Sequence, residues 1–220
     1  MYRRYLANDI RKSKLTTATI TLFIAAASML VALAAVLIVN LSGSIDHLMT
    51  VAKTPHFLQM HSGEYDTARL EAFAAANANV EEYQVLDFLN VEGSQIVVGG
   101  ESLSDSVLDN GFSTQSPRFD FLIDIQDQVI QPKDGEVYLP LNFLKSGAGQ
   151  VGDALSFGDA HFTVAGFLRD SQMNSSLSSS QRFLVSEGDY AKRVDGGSLE
   201  YLIEFRLHDL DQMGAFEAAY

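Results

Sequence analysis

The 220-residue chain offers five histidines and 28 acidic side chains to acid–base or metal chemistry, and no cysteine. The missing cysteines exclude disulfides, thiolate nucleophiles, zinc ribbons and iron–sulfur clusters together. The densest titratable group is His47, His56 and His61. Spacings of nine and five put no two imidazoles on one helical turn, and no carboxylate pattern completes a metal site. Exposed histidines are the expectation there. Asp105, Asp109, Asp120, Asp124, Asp127 and Asp134 are dispersed. A calcium loop needs acids at alternating positions with glycine at the sixth, and no stretch fits. These acids are expected on solvated strand faces and in turns. A Walker A loop, a Gly-x-Ser-x-Gly elbow and a His-Glu-x-x-His pair are all missing from the sequence. No catalytic, cofactor-binding or metal-binding residue is singled out, and the expectation is a non-catalytic chain.

The elements around these residues read as a mixture of strands and short helices. Phe119, Phe121, Ile123 and Ile125 alternate with Asp120, Leu122, Asp124 and Gln126; Leu199 to Leu207 alternates likewise. Period-two alternation marks strands with one buried face. Ala154–Phe157 and His161–Leu168 flank Gly158-Asp159, a hairpin turn signal. Tyr83–Leu89 and Gln95–Val98 read as further strands. Asp66 or Thr67 caps a helix through Asn77, with Leu70 and Phe73 on one face. Ser186 with Asp189 opens a helix over Glu187–Arg193, and Asp209 with Gln212 opens one over Leu210–Tyr220, with Met213 and Phe216 inward. Residues 171–181 and Gly99–Pro117 have no period and read as loops. The class is α+β, with a mixed or antiparallel sheet and short helices.

Charge divides the chain into three zones. Residues 1–14 hold five bases and one acid, residues 15–41 no charge, and residues 42–220 ten bases against 27 acids. So acidic a domain repels polyphosphate backbones, which argues against nucleic acid as a partner. The uncharged run predicts a transmembrane helix over 15–41, because a bilayer core of about 30 Å needs about 20 helical residues. A buried helix of a soluble protein is shorter and striped. A cleavable signal peptide has an apolar core of about 7–15 residues and a small-x-small exit. This run leaves through Val39-Asn40-Leu41-Ser42-Gly43 instead, so retention as an anchor is expected. The basic flank predicts a cytoplasmic N-terminus and an extracytoplasmic domain over 42–220. Tyr2, Tyr5, Leu6 and Ile10 fall on one helical face opposite Arg3, Arg4, Arg11, Lys12 and Lys14. That pattern predicts a cytoplasmic amphipathic elbow over 1–14, lying on the bilayer surface.

Two passages together resemble one family. The first is Leu6-Ala7-Asn8-Asp9-Ile10-Arg11-Lys12-Ser13-Lys14 running into the apolar stretch. The second is Gly135–Pro140, then Val151–Phe157, then His161–Asp170 with its Phe162-Thr163-Val164-Ala165-Gly166 core. The order resembles the start of an FtsX-like or MacB-like ABC transporter permease subunit of the bacterial inner or plasma membrane. That resemblance implies a basic elbow, a first span and a large extracytoplasmic domain. It also implies a separate cytoplasmic ABC ATPase as partner, a second permease copy or half, and an extracytoplasmic substrate or partner protein. Family members continue into further spans, whereas this sequence has one, so the expectation is an N-terminal fragment, incomplete beyond Tyr220. The alternatives are a single-pass anchored binding or sensor module, and an anchored extracytoplasmic enzyme.

Overall fold

A 38-residue helix, α1 (Lys14–Val51), opens the described chain. The structure, a computed structural model, describes residues 14–173, 178–193 and 196–220. The expected elbow, up to Ser13, and the centre of the Ser-rich loop lie outside the described residues. The chain divides into two units, Met1–His47 and Leu48–Tyr220. None of the residues of α1 is buried among the described residues, and the helix is long and apolar enough to cross a membrane. Two of its hydroxyls bond back to the helix's own carbonyls: Thr19 Oγ1 donates to Leu15 O at 2.9 Å and Ser44 Oγ to Asn40 O at 2.8 Å. The helix stops where Lys53 takes a positive φ of 49°, a conformation that cannot continue a right-handed helix.

In the second unit the elements follow in chain order. They are β1 (Phe57–Ser62), α2 (Thr67–Ala76), β2 (Val80–Val91), β3 (Ile96–Val98), β4 (Glu101–Ser102) and β5 (Asp109–Ser113). Then come β6 (Glu136–Pro140), α3 (Leu141–Ser146), β7 (Ala154–Phe157), β8 (Ala160–Leu168), β9 (Ser180–Val185), α4 (Glu187–Ala191), β10 (Ser198–Leu207) and α5 (Met213–Ala219). The strands form one sheet in the order β1-β10-β2-β5-β9-β6-β8-β7-β3-β4. Only β5 with β9 and β6 with β8 run parallel; the other pairs are antiparallel. The unit is thus α+β with a mixed sheet, as the residue pattern predicts.

Local chemistry explains the elements that were anticipated. Asp66 caps α2, its side chain accepting from Arg69 N, and Leu70 with Phe73 packs inward. Ser186 caps α4 in the same way through Asp189 N. The β7–β8 hairpin turns at Gly158, whose φ of 56° suits glycine. Phe216 of α5 packs edge-on against Phe57, Phe73 and Phe205 with centroids 5.2–5.6 Å apart, closing α2 and α5 over one face of β10.

Four expectations are corrected. Phe119–Gln126 is not a strand: Asp120 has φ 55° and Asp124 opens a turn, so both Asp120 and Leu122 are buried while Ile125 is exposed. Gly99–Pro117 is not a loop throughout, because it contains β4 and the interior strand β5. Residues 171–181 end inside β9, a strand buried at every position. β10 is buried on both faces: Ile203 and Phe205 meet the helices, whereas Leu202 and Glu204 face the opposite side and are fully buried.

Candidate functional site

Four successive carbonyls behind α1 are each captured by the sheet unit. Ala52 O accepts from Phe121 N at 2.7 Å and Lys53 O from Asp120 N at 3.0 Å. Thr54 O accepts from Arg206 Nη1 at 2.8 Å, and Pro55 O, more distantly, from Gln172 Nε2 at 3.5 Å. Ala52, Thr54 and Pro55 are buried, and the Lys53 ammonium sits over the Phe121 ring at 5.6 Å. A buried connection must satisfy its backbone groups, and here strands and irregular segments do so from three directions.

Those three directions converge on one buried charge cluster. Arg182, in the middle of β9, is 1% exposed; Asp120, Asp170 and Glu204 are 0–1% exposed. Arg182 donates from Nε to Asp170 Oδ2 at 2.5 Å, from Nη2 to Asp170 Oδ1 at 2.7 Å and from Nη1 to Asp120 Oδ2 at 2.6 Å. The Asp170 grip is bidentate, the geometry in which a guanidinium best matches a carboxylate. Asp170 Oδ1 also accepts from Gln172 N and Met173 N, so the segment holding Pro55 is organised by the same carboxylate. Ser171 Oγ donates to Asp120 Oδ1 at 3.2 Å. Gln84 Nε2 bridges Glu204 Oε2 at 2.8 Å and Phe119 O at 2.9 Å, tying β2 and β10 to the segment that grips Lys53.

Burial and charge pull the ionisable groups in opposite directions. Burial alone raises the Asp170 carboxyl, but the Arg182 guanidinium and the two backbone N–H groups reverse this and hold it below its ordinary value. Burial works against the Arg182 charge as well, and Asp120 with Asp170 overcomes it, leaving the guanidinium more firmly protonated than in water. Glu204 goes the other way: burial first, then the negative charge of Asp120, pushes it up to about 9 despite the attraction of Arg182. A buried ion pair of this kind seldom outweighs well-packed apolar side chains of equal volume. Its effect is geometric, because each member tolerates only partners in place.

The residues singled out from sequence scatter. Asp120 enters the cluster, which corrects the solvated-face expectation: its side chain points inward from a strand-breaking turn. Asp105 is exposed; Asp109 opens β5 and accepts from Ser180 Oγ at 3.3 Å. Asp124 accepts from Gln126 N and Gln128 N in a turn, Asp127 pairs with Arg169, and Asp134 accepts from Ser186 Oγ. The histidines stay apart in role. His47 is on α1, His56 Nδ1 accepts from Leu207 N at 2.8 Å, and His61 Nε2 donates to Glu64 O at 3.2 Å. His56 and His61 are half-buried rather than exposed. Asp170, Arg182, Glu204 and Gln84 were missed as a site. No local pattern marks them: alternation puts Glu204 on the solvent side of its strand, Gln84 carries no charge, and Asp170 and Arg182 flank a Ser-rich stretch without period.

A separate cleft of about 390 Å³ lies beside β1, lined by Gln59, His61, Tyr65, Arg69, Phe73 and Tyr220. Tyr220 OH donates to Gln59 Oε1 across it.

No family model and no curated protein matches the chain. Among solved structures, the chain is similar to the periplasmic region of MacB from Actinobacillus actinomycetemcomitans. The two share 14% identity over 80% of this chain and 86% of that one, with a TM-score of 0.39.

Proposed function

We propose that the chain is a membrane-anchored extracytoplasmic domain of a MacB- or FtsX-type ABC permease, which passes movement of its transmembrane helix to the sheet unit outside the bilayer. The carrying observation is the layout: a basic head, one helix uncharged over residues 15–41, and an acidic α+β unit whose connection to that helix is held at four successive carbonyls. A helix meant only to tether needs no such fastening; a mobile linker serves. A captured connection lets a displacement of the helix end reach Asp120, Gln172 and Arg206 instead of dissipating. ATP hydrolysis belongs, on this proposal, to a separate cytoplasmic subunit, and the N-terminus faces it.

The lack of cysteine makes topology directly testable. Single Ser13→Cys and Ser104→Cys versions of the full chain are produced in cell membranes and treated with an impermeant maleimide. Intact cells should label Ser104→Cys alone, and lysed cells both. The reverse pattern, or recovery of the chain in the aqueous fraction, overturns the orientation and anchoring. The ATPase partnership is tested by solubilising the native membrane, isolating the full chain and photolabelling with azido-ATP. A nucleotide-labelled chain in stoichiometric amount supports the permease role; its absence leaves an anchored binding module.

A further inference from the structure

Three buried carboxyls surround one buried guanidinium, and the hydrogen bonds do not close with every carboxyl ionised. Arg182 spends its donors on Asp170 and Asp120. Glu204 has Gln84 Nε2 on Oε2, while its Oε1 is buried with no hydrogen-bond partner. The carboxyl whose charge and side chain act on Glu204 is Asp120, itself an acceptor, and Gln84 Nε2 ties Glu204 Oε2 to Phe119 O in the adjoining residue. Two acceptor oxygens bond only with a proton between them. An ionised Glu204 would also add a second net negative charge to a dry cluster, where like charges at short range strongly disfavour joint ionisation.

We propose that Glu204 and Asp120 form a proton-binding site, a neutral carboxyl donating to a carboxylate, and that this proton controls how firmly Ala52–Pro55 is held. The pair sits where it can do so. Asp120 carries the N–H that grips Lys53 O, its neighbour Phe121 grips Ala52 O, and Arg206, two residues from Glu204, grips Thr54 O. The groups facing Glu204 are few. From 119–120 comes Asp120, from β9 Arg182, from β2 the neutral Gln84 and from the paired position on β1 the apolar Leu58. Asp170 lies beyond Arg182, and Ser171 faces Asp120 from the same segment. Removing the proton leaves two carboxylates in contact, and Asp120 has to move away, taking its grip on Lys53 with it. The folded state holds this proton up to about pH 9, far above an ordinary glutamate. The corresponding stability is therefore complete in acid and is lost as pH rises through that value. This site stands independently of any ATPase partner.

The test uses the full chain in detergent. Infrared spectra should show a neutral carboxyl band at pH 7 that disappears as the pH passes about 9 and is absent in Glu204→Gln. Asp87, the other carboxyl among the described residues that burial raises, is removed from the measurement with an Asp87→Asn background. Hydrogen exchange of the peptide covering 119–121, compared at equal pH so that intrinsic rates cancel, reports the grip. At pH 6 wild type and Glu204→Gln should exchange alike; at pH 9 wild type should exchange faster. Identical exchange at every pH overturns the control of the junction. Absence of a neutral band at pH 7 in the Asp87→Asn background overturns the proton site, a result that does not depend on whether Glu204→Gln folds.

Discussion

Replacing Arg182 with methionine removes a charge while keeping a flexible apolar side chain in the middle of β9. The guanidinium makes three charged hydrogen bonds at 2.5–2.7 Å, and both acceptors are 0–1% exposed. Water cannot take over as donor, so Asp120 and Asp170 are stranded. Breaking a buried ion pair from one side costs about 3–5 kcal/mol. Chains of this length lose about 2–4 °C in Tm per kcal/mol, giving a fall of roughly 6–20 °C. The assay is thermal and denaturant unfolding of the full chain in detergent, with the triple variant Arg182→Met, Asp120→Asn, Asp170→Asn alongside. Asparagine keeps the acceptor for Gln172 N and Met173 N and tolerates the positive φ at position 120, so the triple variant should regain most of the loss. Acid should narrow the gap between the single variant and wild type, because protonation discharges the stranded carboxyls. A single-variant loss below about 1 kcal/mol, the range of exposed pairs, would refute the claim that the cluster is dry. A triple variant no better than the single would assign the loss to packing.

Two further outcomes follow from local geometry. A Cβ on Gly111 would lie 2.0 Å from Phe88 Cε2, so Gly111→Ala should destabilise by at least about 1–3 kcal/mol in the same unfolding assay, and adding Phe88→Leu should relieve it. His56 is held below its ordinary value near 6.5 by burial and by Arg206, and its neutral Nδ1 accepts from Leu207 N. Its contribution is complete above that value and lost as pH falls below it, so stability measured from pH 7 down to 5 should fall less steeply in His56→Asn.

The elements read correctly from sequence were those whose signals are local. A capped turn such as Asp66 with Arg69 N, or a Gly158-Asp159 hairpin, depends on residues within a few positions of one another. The failures have one cause. Phe119–Gln126 alternates as a strand does, yet its backbone is claimed elsewhere: Asp120 N and Phe121 N bond to Lys53 and Ala52, far away in the chain. β9 was hidden because a strand with Arg182 at its centre does not look like an interior strand, although it is buried throughout. Glu204 was assigned to an exposed face because alternation supposes that one face of β10 meets water. The 170–173 segment covers that face instead, with Met173 packing against Leu202.

The division of charge, the uncharged 27-residue run and the α+β class are properties of composition and short-range periodicity, and they are written in the order of the residues alone. The convergence of Asp120, Asp170, Arg182 and Glu204 is not, because no pattern along the chain records which segments will cover the far side of a sheet. Folding decided it by excluding water from that side: a carboxyl's charge state and partners follow from its dielectric surroundings, and those exist only once the segments have packed.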